Sequence, residues 1–199
     1  MNVKLISMTE QPEILIEKAY RVCYDSSMST KSFTRRKFIS NLISRGHLTP
    51  LEHAVATFEI TCSRAASHQL VRHRLCSFSQ QSQRYCKQSQ SSMYLIPDSV
   101  TKEDHVFRMY CNNITDSLNA YENLINKGVP KEDARCVLPA AMATTLVATA
   151  NFRQWRHVIN LRCSKDAQWE IRDIAKKILM ILYDYAPSVF EDLYERTQI

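Results

Sequence analysis

Three cationic side chains follow one another at Arg72, His73 and Arg74, and the polar run behind them ends at Ser82 and Arg84. Neighbouring residues on a helix point about 100° apart, so such a triplet suits a helix end or loop where anionic groups converge. The hydroxyls and amides that separate the triplet from Ser82 can hydrogen-bond to a polar ring or phosphate ester without adding charge. Arginine guanidinium groups beside such hydrogen-bonding side chains are typical of a nucleotide site. The triplet alone fits a solvated basic turn at least as well.

The chain contains only two glycines, so it has neither the glycine-rich dinucleotide turn nor a P-loop. Guanidinium groups must then supply the donors for any bound phosphate, and arginine does so bidentately. Arg162 stands between an apolar helix and a cysteine, where an unpaired charge is costly, so we expect it to have a function beyond solubility. We expect Arg35, Arg36 and Arg108 to be ordinary surface residues.

Composition bounds the class of protein. A chain of 199 residues with 45% hydrophobic and 23% charged residues is typical of one globular domain with a substantial core. It shows no apolar run of membrane-spanning length and no signal-peptide pattern, so we expect a cytoplasmic protein without membrane contact. The seven scattered cysteines include no C-x-x-C pair, which argues against a disulfide framework and a cysteine-rich zinc site. The net charge of +6 favours anionic ligands.

Hydrophobic periodicity and capping residues predict the elements that position these side chains. The first half of the chain is predicted to contain a strand over 3–6, a helix capped by Thr9 that runs to 24, a helix over 34–45 closed by Gly46, a strand over 56–62, a helix over 64–72 capped by Ser63, and a strand at 85 or over 93–96. The second half is predicted to contain a helix that begins at a Thr101–Asp104 capping box, a short helix over 131–138, a helix over 153–161, and a helix capped by Asp166 and ended by Pro187. The segment over 144–152 is rich in threonine and valine and fits a strand or a helix; we interpret it as helix because the alanines within 140–143 lead into it. The predicted fold is a single α+β domain over 1–199, with a small antiparallel sheet flanked by long helices.

Along the chain, six short sequence blocks follow one another in this order: GHLTPLEH, RHR-x7-S-x-RY, R-x-V-L-P, N-x-R, L-R and AQWEIR. This order resembles the flavin-dependent thymidylate synthases, also called the thymidylate synthase complementing protein family, for which RHR-x7-S is the signature. The resemblance covers residues 46–172. It implies a homotetrameric methyltransferase of dTMP biosynthesis with active sites shared between subunits. Its substrates would be dUMP, 5,10-methylenetetrahydrofolate as carbon donor and NADPH as reductant, with FAD as the flavin cofactor.

The resemblance also implies roles for individual residues. The positions at which the family contacts FAD are Thr49, Glu52, Arg72, His73, Arg74, Asn151, Arg153 and His157. The positions at which it holds the nucleotide are Gln69, Arg72, Gln80, Ser82, Arg84, Arg135 and Arg162. The candidates for catalysis are Arg162, Ser82 and His47. We expect Arg162 to contact the pyrimidine ring, and His47 falls near the flavin ring, where it would help to seat folate. The chain departs from the commonest pattern at Gln80, where many members carry glutamate, and at His157, often asparagine. Gln80 can accept from a ribose hydroxyl but cannot act as a base.

The chain offers two kinds of candidate nucleophile, Ser82 and the cysteines. Ser82 lacks the G-x-S-x-G elbow of a nucleophile, so we expect it to hydrogen-bond dUMP. Neither Cys76 nor Cys163 falls where the family needs a thiol, and we expect no cysteine nucleophile.

We expect no metal site, because the histidines at 68 and 73 are five residues apart and face different sides of a helix. A non-enzymatic RNA-binding module is the alternative function. The charge permits it, but the chain has no clustered lysines and no aromatic-basic RNA motif, so we expect no nucleic-acid partner.

Overall fold

Four strands and nine α-helices make up the part of the chain that the computed structural model describes, residues 1–28, 31–89 and 91–197. In order they are β1 (Asn2–Met8), α1 (Pro12–Cys23), α2 (Ser32–Ser44), β2 (Val55–Ser63), α3 (Arg64–Leu70), β3 (Ser77–Gln80), α4 (Asp98–Thr101), α5 (Asp104–Asn126), α6 (Lys131–Ala134), β4 (Ala143–Asn151), α7 (Phe152–Arg162), α8 (Trp169–Tyr185) and α9 (Pro187–Thr197). Short 3-10 helices cover Thr49–His53 and Arg135–Val137. Within those ranges, no helix is both long and apolar enough to cross a lipid bilayer.

The strands form one antiparallel sheet in the order β1-β2-β4-β3. Its central pair, β2 and β4, aligns over nine residues, with Val55 opposite Asn151 and Ser63 opposite Ala143. Alternate residues of both strands turn one face of the sheet into the core, where Phe58 is fully buried. Trp155 of α7 packs edge-to-face on Phe58 and donates its Nε1 hydrogen to the Ala56 carbonyl. This arrangement confirms the predicted α+β fold and the predicted second strand.

The prediction of helix over 144–152 was wrong, because this segment is β4. Its alternation decides the outcome: Thr144, Leu146 and Ala148 are buried, while the residues between them are half-buried. Threonine and valine favour such a pleated, half-buried surface over a helix. The strand expected at 85 or over 93–96 was also wrong, since only an isolated bridge joins Tyr94 to Met142. The strand that pairs with the free edge of β4 is instead β3, which lies in the polar run between Arg74 and Ser82.

Of the predicted helix caps, those at Ser63 and Gly46 were confirmed and the one at Thr9 was wrong. Ser63 caps α3 as expected, because its Oγ accepts from the Ala66 N–H at 3.0 Å. Gly46 follows α2 with a φ of 81°, the left-handed conformation that glycine adopts without strain. Thr9 does not cap α1; the N-cap is Gln11, and the Thr9 hydroxyl instead accepts from the Val55 N–H.

Two other predicted caps were also wrong. Thr101 ends α4, where its hydroxyl donates to the Asp98 carbonyl, and α5 begins separately at Asp104. The cap of α8 is Gln168 rather than Asp166: its Oε1 accepts from two N–H groups of the first turn at 3.1 Å each.

Two of the three supposed surface arginines connect helices. Arg35 donates to the fully buried carboxylate of Glu17 at 2.8 Å, and Arg36 pairs with Glu191 on α9. Only Arg108 fits the expectation, because it is exposed and pairs with Asp104 one turn away.

Candidate active site

Arg162, at the end of α7, meets His73, in the turn after α3. The Nε of Arg162 donates to the His73 Nε2 at 3.0 Å, and its Nη2 donates to the Gln69 carbonyl at 3.0 Å. A guanidinium only donates, so this ring nitrogen must carry the lone pair and the proton must sit on Nδ1. Burial, the charge of Arg162 and the neighbouring His157 together lower the pKa of His73 to about 4. His73 is therefore neutral at physiological pH, and only 6% of it is exposed.

A cleft of 730 Å³ opens beside this pair, between the 3-10 helix at Thr49–His53, α7 and α9. Its volume falls within the range usual for cofactor sites. The lining residues are Leu48, Glu52, Leu75, Asn151, Arg153, Gln154, Arg156, His157, Asn160, Leu193 and Arg196.

The first turn of α7 gives this cleft its positive rim. Asn151 caps the helix by accepting from the Gln154 N–H at 2.8 Å, which leaves the NH₂ of its own amide as a donor. Arg153 pairs with Glu52 at 2.6 Å, and both side chains are exposed. The positive end of the helix dipole adds to the charge of Arg153, so this rim favours a phosphate group.

Only half of the predicted FAD-binding residues line the cleft. Glu52, Asn151, Arg153 and His157 do so. Thr49, Arg72 and Arg74 are exposed outside its lining, and His73 is buried behind it. His47 is exposed, and its carbonyl accepts a hydrogen bond from the Tyr20 hydroxyl.

Sequence reasoning missed the remaining polar lining. Arg156 and Asn160 recur with Arg153 and His157 at helical spacing, which was the available signal. Arg196 belongs to α9, a helix that was not predicted, and it is held by Asp192 at 3.2 Å and Asn160 at 3.3 Å.

The predicted nucleotide-binding residues form two groups. Gln69, Arg72 and Arg162 lie with His73 beside the cleft, whereas Gln80, Ser82, Arg84 and Arg135 belong to segments nearer the start of β4. The Gln81 N–H donates to the Thr145 carbonyl near the start of that strand, which fixes the polar loop there. Arg84 pairs with Glu132 at 2.5 Å, and the Nε of Arg135 donates to the Glu132 carbonyl at 3.0 Å. The nine residues of β4 span about 26 Å. Arg84 and Arg135 therefore lie near one end of the sheet, and the cleft lies at the other.

Ser82 and Gln80 are both engaged in local hydrogen bonds. The Ser82 Oγ accepts from the Arg84 N–H at 3.2 Å in a tight turn. The Gln80 amide donates to the Ser67 Oγ at 2.9 Å and to the Thr144 Oγ1 at 3.2 Å. Since the Ser67 hydroxyl already donates to the Arg64 carbonyl at 2.9 Å, it can only accept from Gln80. A glutamate carboxylate could not make this donation.

A metal site would need clustered ligands, and a cysteine nucleophile would need a thiol that ionises readily. In residues 1–28, 31–89 and 91–197, no three histidine, cysteine, aspartate or glutamate side chains converge on a possible ion site. Burial raises the pKa of both Cys76 and Cys163 to about 11. Both thiols are therefore protonated at neutral pH, the form that is a poor nucleophile.

Comparison with known proteins gives one consistent family. The model of a family described as "Thymidylate synthase complementing protein" matches residues 4–188. The flavin-dependent thymidylate synthase of Geobacter sulfurreducens is 40% identical over 202 residues, covering 96% of this chain and 86% of the relative. That of Pyrococcus furiosus is 38% identical over 189 residues, covering 90% and 78%. That of Haloarcula marismortui is 32% identical over 232 residues, covering 96% and 94%.

The geometry of Gln80 makes a testable prediction. Gln80→Glu should lower the free energy of unfolding by about 1 kcal/mol at pH 7, because an ionised carboxylate cannot donate to Ser67 and Thr144. Gln81→Glu is the matched control, since Gln81 is exposed and adjacent, and it should change stability by less than about 0.5 kcal/mol. Urea unfolding of the three proteins measures both values. Equal stabilities for the two variants would show that the donor role of Gln80 is unimportant.

Proposed function

This chain belongs to the thymidylate synthase complementing protein family, and we propose that it reductively methylates dUMP to dTMP. 5,10-Methylenetetrahydrofolate donates the carbon, NADPH is the reductant, and FAD is the cofactor. The observation that carries the proposal is the cleft of 730 Å³ with Asn151, Arg153 and His157 on its wall, in a chain matched over residues 4–188 by the family.

The cleft suits FAD in both charge and size. Arg153 and the start of α7 offer donors and positive charge to the pyrophosphate, and Glu52 offers an acceptor to ribose hydroxyls. The exposed ion pair between Arg153 and Glu52 is worth little in water, so a phosphate can replace the carboxylate at small cost. Bound FAD would carry reducing equivalents from NADPH to the carbon that folate delivers.

The nucleotide is assigned to two groups of residues. Arg84 and Arg135 would bind the phosphate of dUMP, because both guanidinium groups are exposed at the Ala143 end of β4. Ser82 and Gln80 would contact the sugar and base from the same loop. Arg162 would polarise the pyrimidine ring by donating from the nitrogen positions that Gln69 and His73 leave free.

The distance between the two ends supports an active site shared between subunits. The cleft and the arginines proposed for the dUMP phosphate lie at opposite ends of a strand of about 26 Å, so they form two separate groups within one protomer. We infer that a second subunit supplies the missing half and that the assembly is the homotetramer implied by the family. The reaction is assigned to the cytoplasm, since all seven cysteines are unpaired, as in a reducing compartment.

Tritium release from dUMP labelled at C5 tests the proposed reaction directly. The purified protein should retain FAD through gel filtration and release tritium only when FAD, methylenetetrahydrofolate and NADPH are all present. A protein that retains RNA, lacks flavin and releases no tritium would favour the non-enzymatic module instead.

Arg162 should matter far more than an ordinary surface arginine. Arg162→Ala should lower kcat/KM by about 30-fold or more, because a charge-assisted contact to a polar ring is worth about 2 kcal/mol. Arg108→Ala should stay within about twofold, since Arg108 only pairs with its helical neighbour Asp104. Steady-state kinetics with saturating FAD measure the difference. Similar losses in both variants would mean that the pyrimidine binds elsewhere.

The two half-buried thiols near the site should be dispensable. Cys76→Ala/Cys163→Ala should keep dTMP formation within about tenfold of wild type, a change of about 1.4 kcal/mol, because neither thiol ionises readily. The exposed pair Cys23→Ala/Cys136→Ala is the control for removing two cysteines. Loss of turnover in the first variant, with FAD and dUMP still bound, would contradict a mechanism without a cysteine nucleophile.

A further inference from the structure

We propose that His73 is a positioning residue for Arg162: as a neutral imidazole it fixes the direction of the guanidinium without reducing its charge. The inference rests on the proposed function, since it takes Arg162 as the group that polarises the pyrimidine. It differs from the direct FAD contact that the family resemblance implies for His73.

The geometry fixes the guanidinium plane. Arg162 donates from Nε to His73 and from Nη2 to the Gln69 carbonyl, each at 3.0 Å. Two hydrogen bonds from different nitrogens of one planar group leave no rotation about its long axis. Both donors of Nη1 and the second hydrogen of Nη2 remain to face a ligand.

The chemical type of the acceptor matters as much as its position. A carboxylate in place of His73 would form an ion pair with Arg162 and cancel the charge that polarises a ring. The two acceptors that Arg162 meets in the described part of the chain, an imidazole and a backbone carbonyl, are both neutral. The guanidinium is therefore oriented while its full positive charge remains available.

The surroundings of His73 keep it in the accepting form. Arg162 and His157, both from α7, face the ring, and His157 packs against it edge-to-face with centroids 5.8 Å apart. Burial and these neighbours lower the pKa of His73 to about 4, so protonation does not compete with the hydrogen bond at neutral pH.

Burial separates this role from a cofactor contact. His73 is 6% exposed and does not line the 730 Å³ cleft, whereas His157, on its other side, does. Within this protomer, the ring contacts the cleft wall through His157 and the proposed pyrimidine-binding group through Arg162.

A double-mutant cycle tests the proposal. His73→Phe keeps a ring to pack against His157 but has no acceptor, whereas His73→Gln places its Oε1 close to the position of Nε2. Each is made in the wild-type and in the Arg162→Ala background, with kcat, FAD affinity and thermal unfolding measured for every protein. If His73→Phe does not fold, His73→Asn, whose side chain is too short to reach Arg162, replaces it.

The expected pattern is specific to positioning. His73→Phe should lower kcat by about tenfold or more, with FAD affinity within about threefold, and His73→Gln should restore most of the loss. In the Arg162→Ala background, His73→Phe should cost less than about twofold, because its effect passes through the missing guanidinium.

Three results would overturn the proposal: a full additional loss in the Arg162→Ala background, no rescue by His73→Gln, or a fall in FAD affinity that matches the fall in kcat. The absence of tritium release from wild-type protein would instead refute the proposed function, which distinguishes the two failures.

Discussion

The antiparallel pairing of β2 with β4 sets the separation between the two ends of the sheet at which candidate ligand-binding residues lie. Nine residues pair in register, and the buried face of the pair carries the core under α7 and α8. Each end of the pair leads into a functional segment: Ser63 caps α3, which leads to His73, and Asn151 caps α7, which carries Arg153. Because the paired strands are rigid and about 26 Å long, the cleft stays apart from Arg84 and Arg135, which are proposed to bind the dUMP phosphate, within one protomer. This constraint is the physical basis for proposing a shared active site.

The arginines of the site fall into two electrostatic classes. Arg84 and Arg153 form exposed ion pairs with Glu132 and Glu52, and such pairs exchange readily for a phosphate group. Arg162 is half-buried, and its acceptors in the part of the chain that the structure describes, His73 and the Gln69 carbonyl, are neutral. The first class suits binding of anions, for which the carboxylate serves as a replaceable partner. The second suits polarisation of a neutral ring, for which an undiminished charge is needed.

The sequence predicted elements whose signals are local. The alternation from Ala56 to Cys62 identified β2, and Ser63 was recognised as a helix cap. The adjoining alanines led to a helical interpretation of β4, because its strand character depends on pairing with residues some ninety positions earlier. The four residues of β3 are too few and too polar to show a buried face, and they form a strand only because β4 offers an edge.

The candidate site was predictable in composition but not in arrangement. The family resemblance implied FAD contacts for Glu52, Asn151 and Arg153, and the fold brings these residues to one cleft although about a hundred residues separate Glu52 from the other two. The contact between His73 and Arg162 links positions 89 apart in sequence, and no local periodicity carries such a signal. The same holds for Arg196, whose place in the cleft depends on how α9 packs against α7.

Subunit complementation tests the shared site most directly. Arg153→Ala removes a residue of the cleft, and Arg135→Ala removes one at the other end of β4, so each variant alone should be inactive. When the two are unfolded and refolded together, random assembly should give about one intact site in four, because each site draws its two halves from different subunits. Activity near a quarter of wild type is the result predicted here, with each variant refolded alone as the control. A mixture as inactive as its components would show that both arginines serve a site within a single protomer.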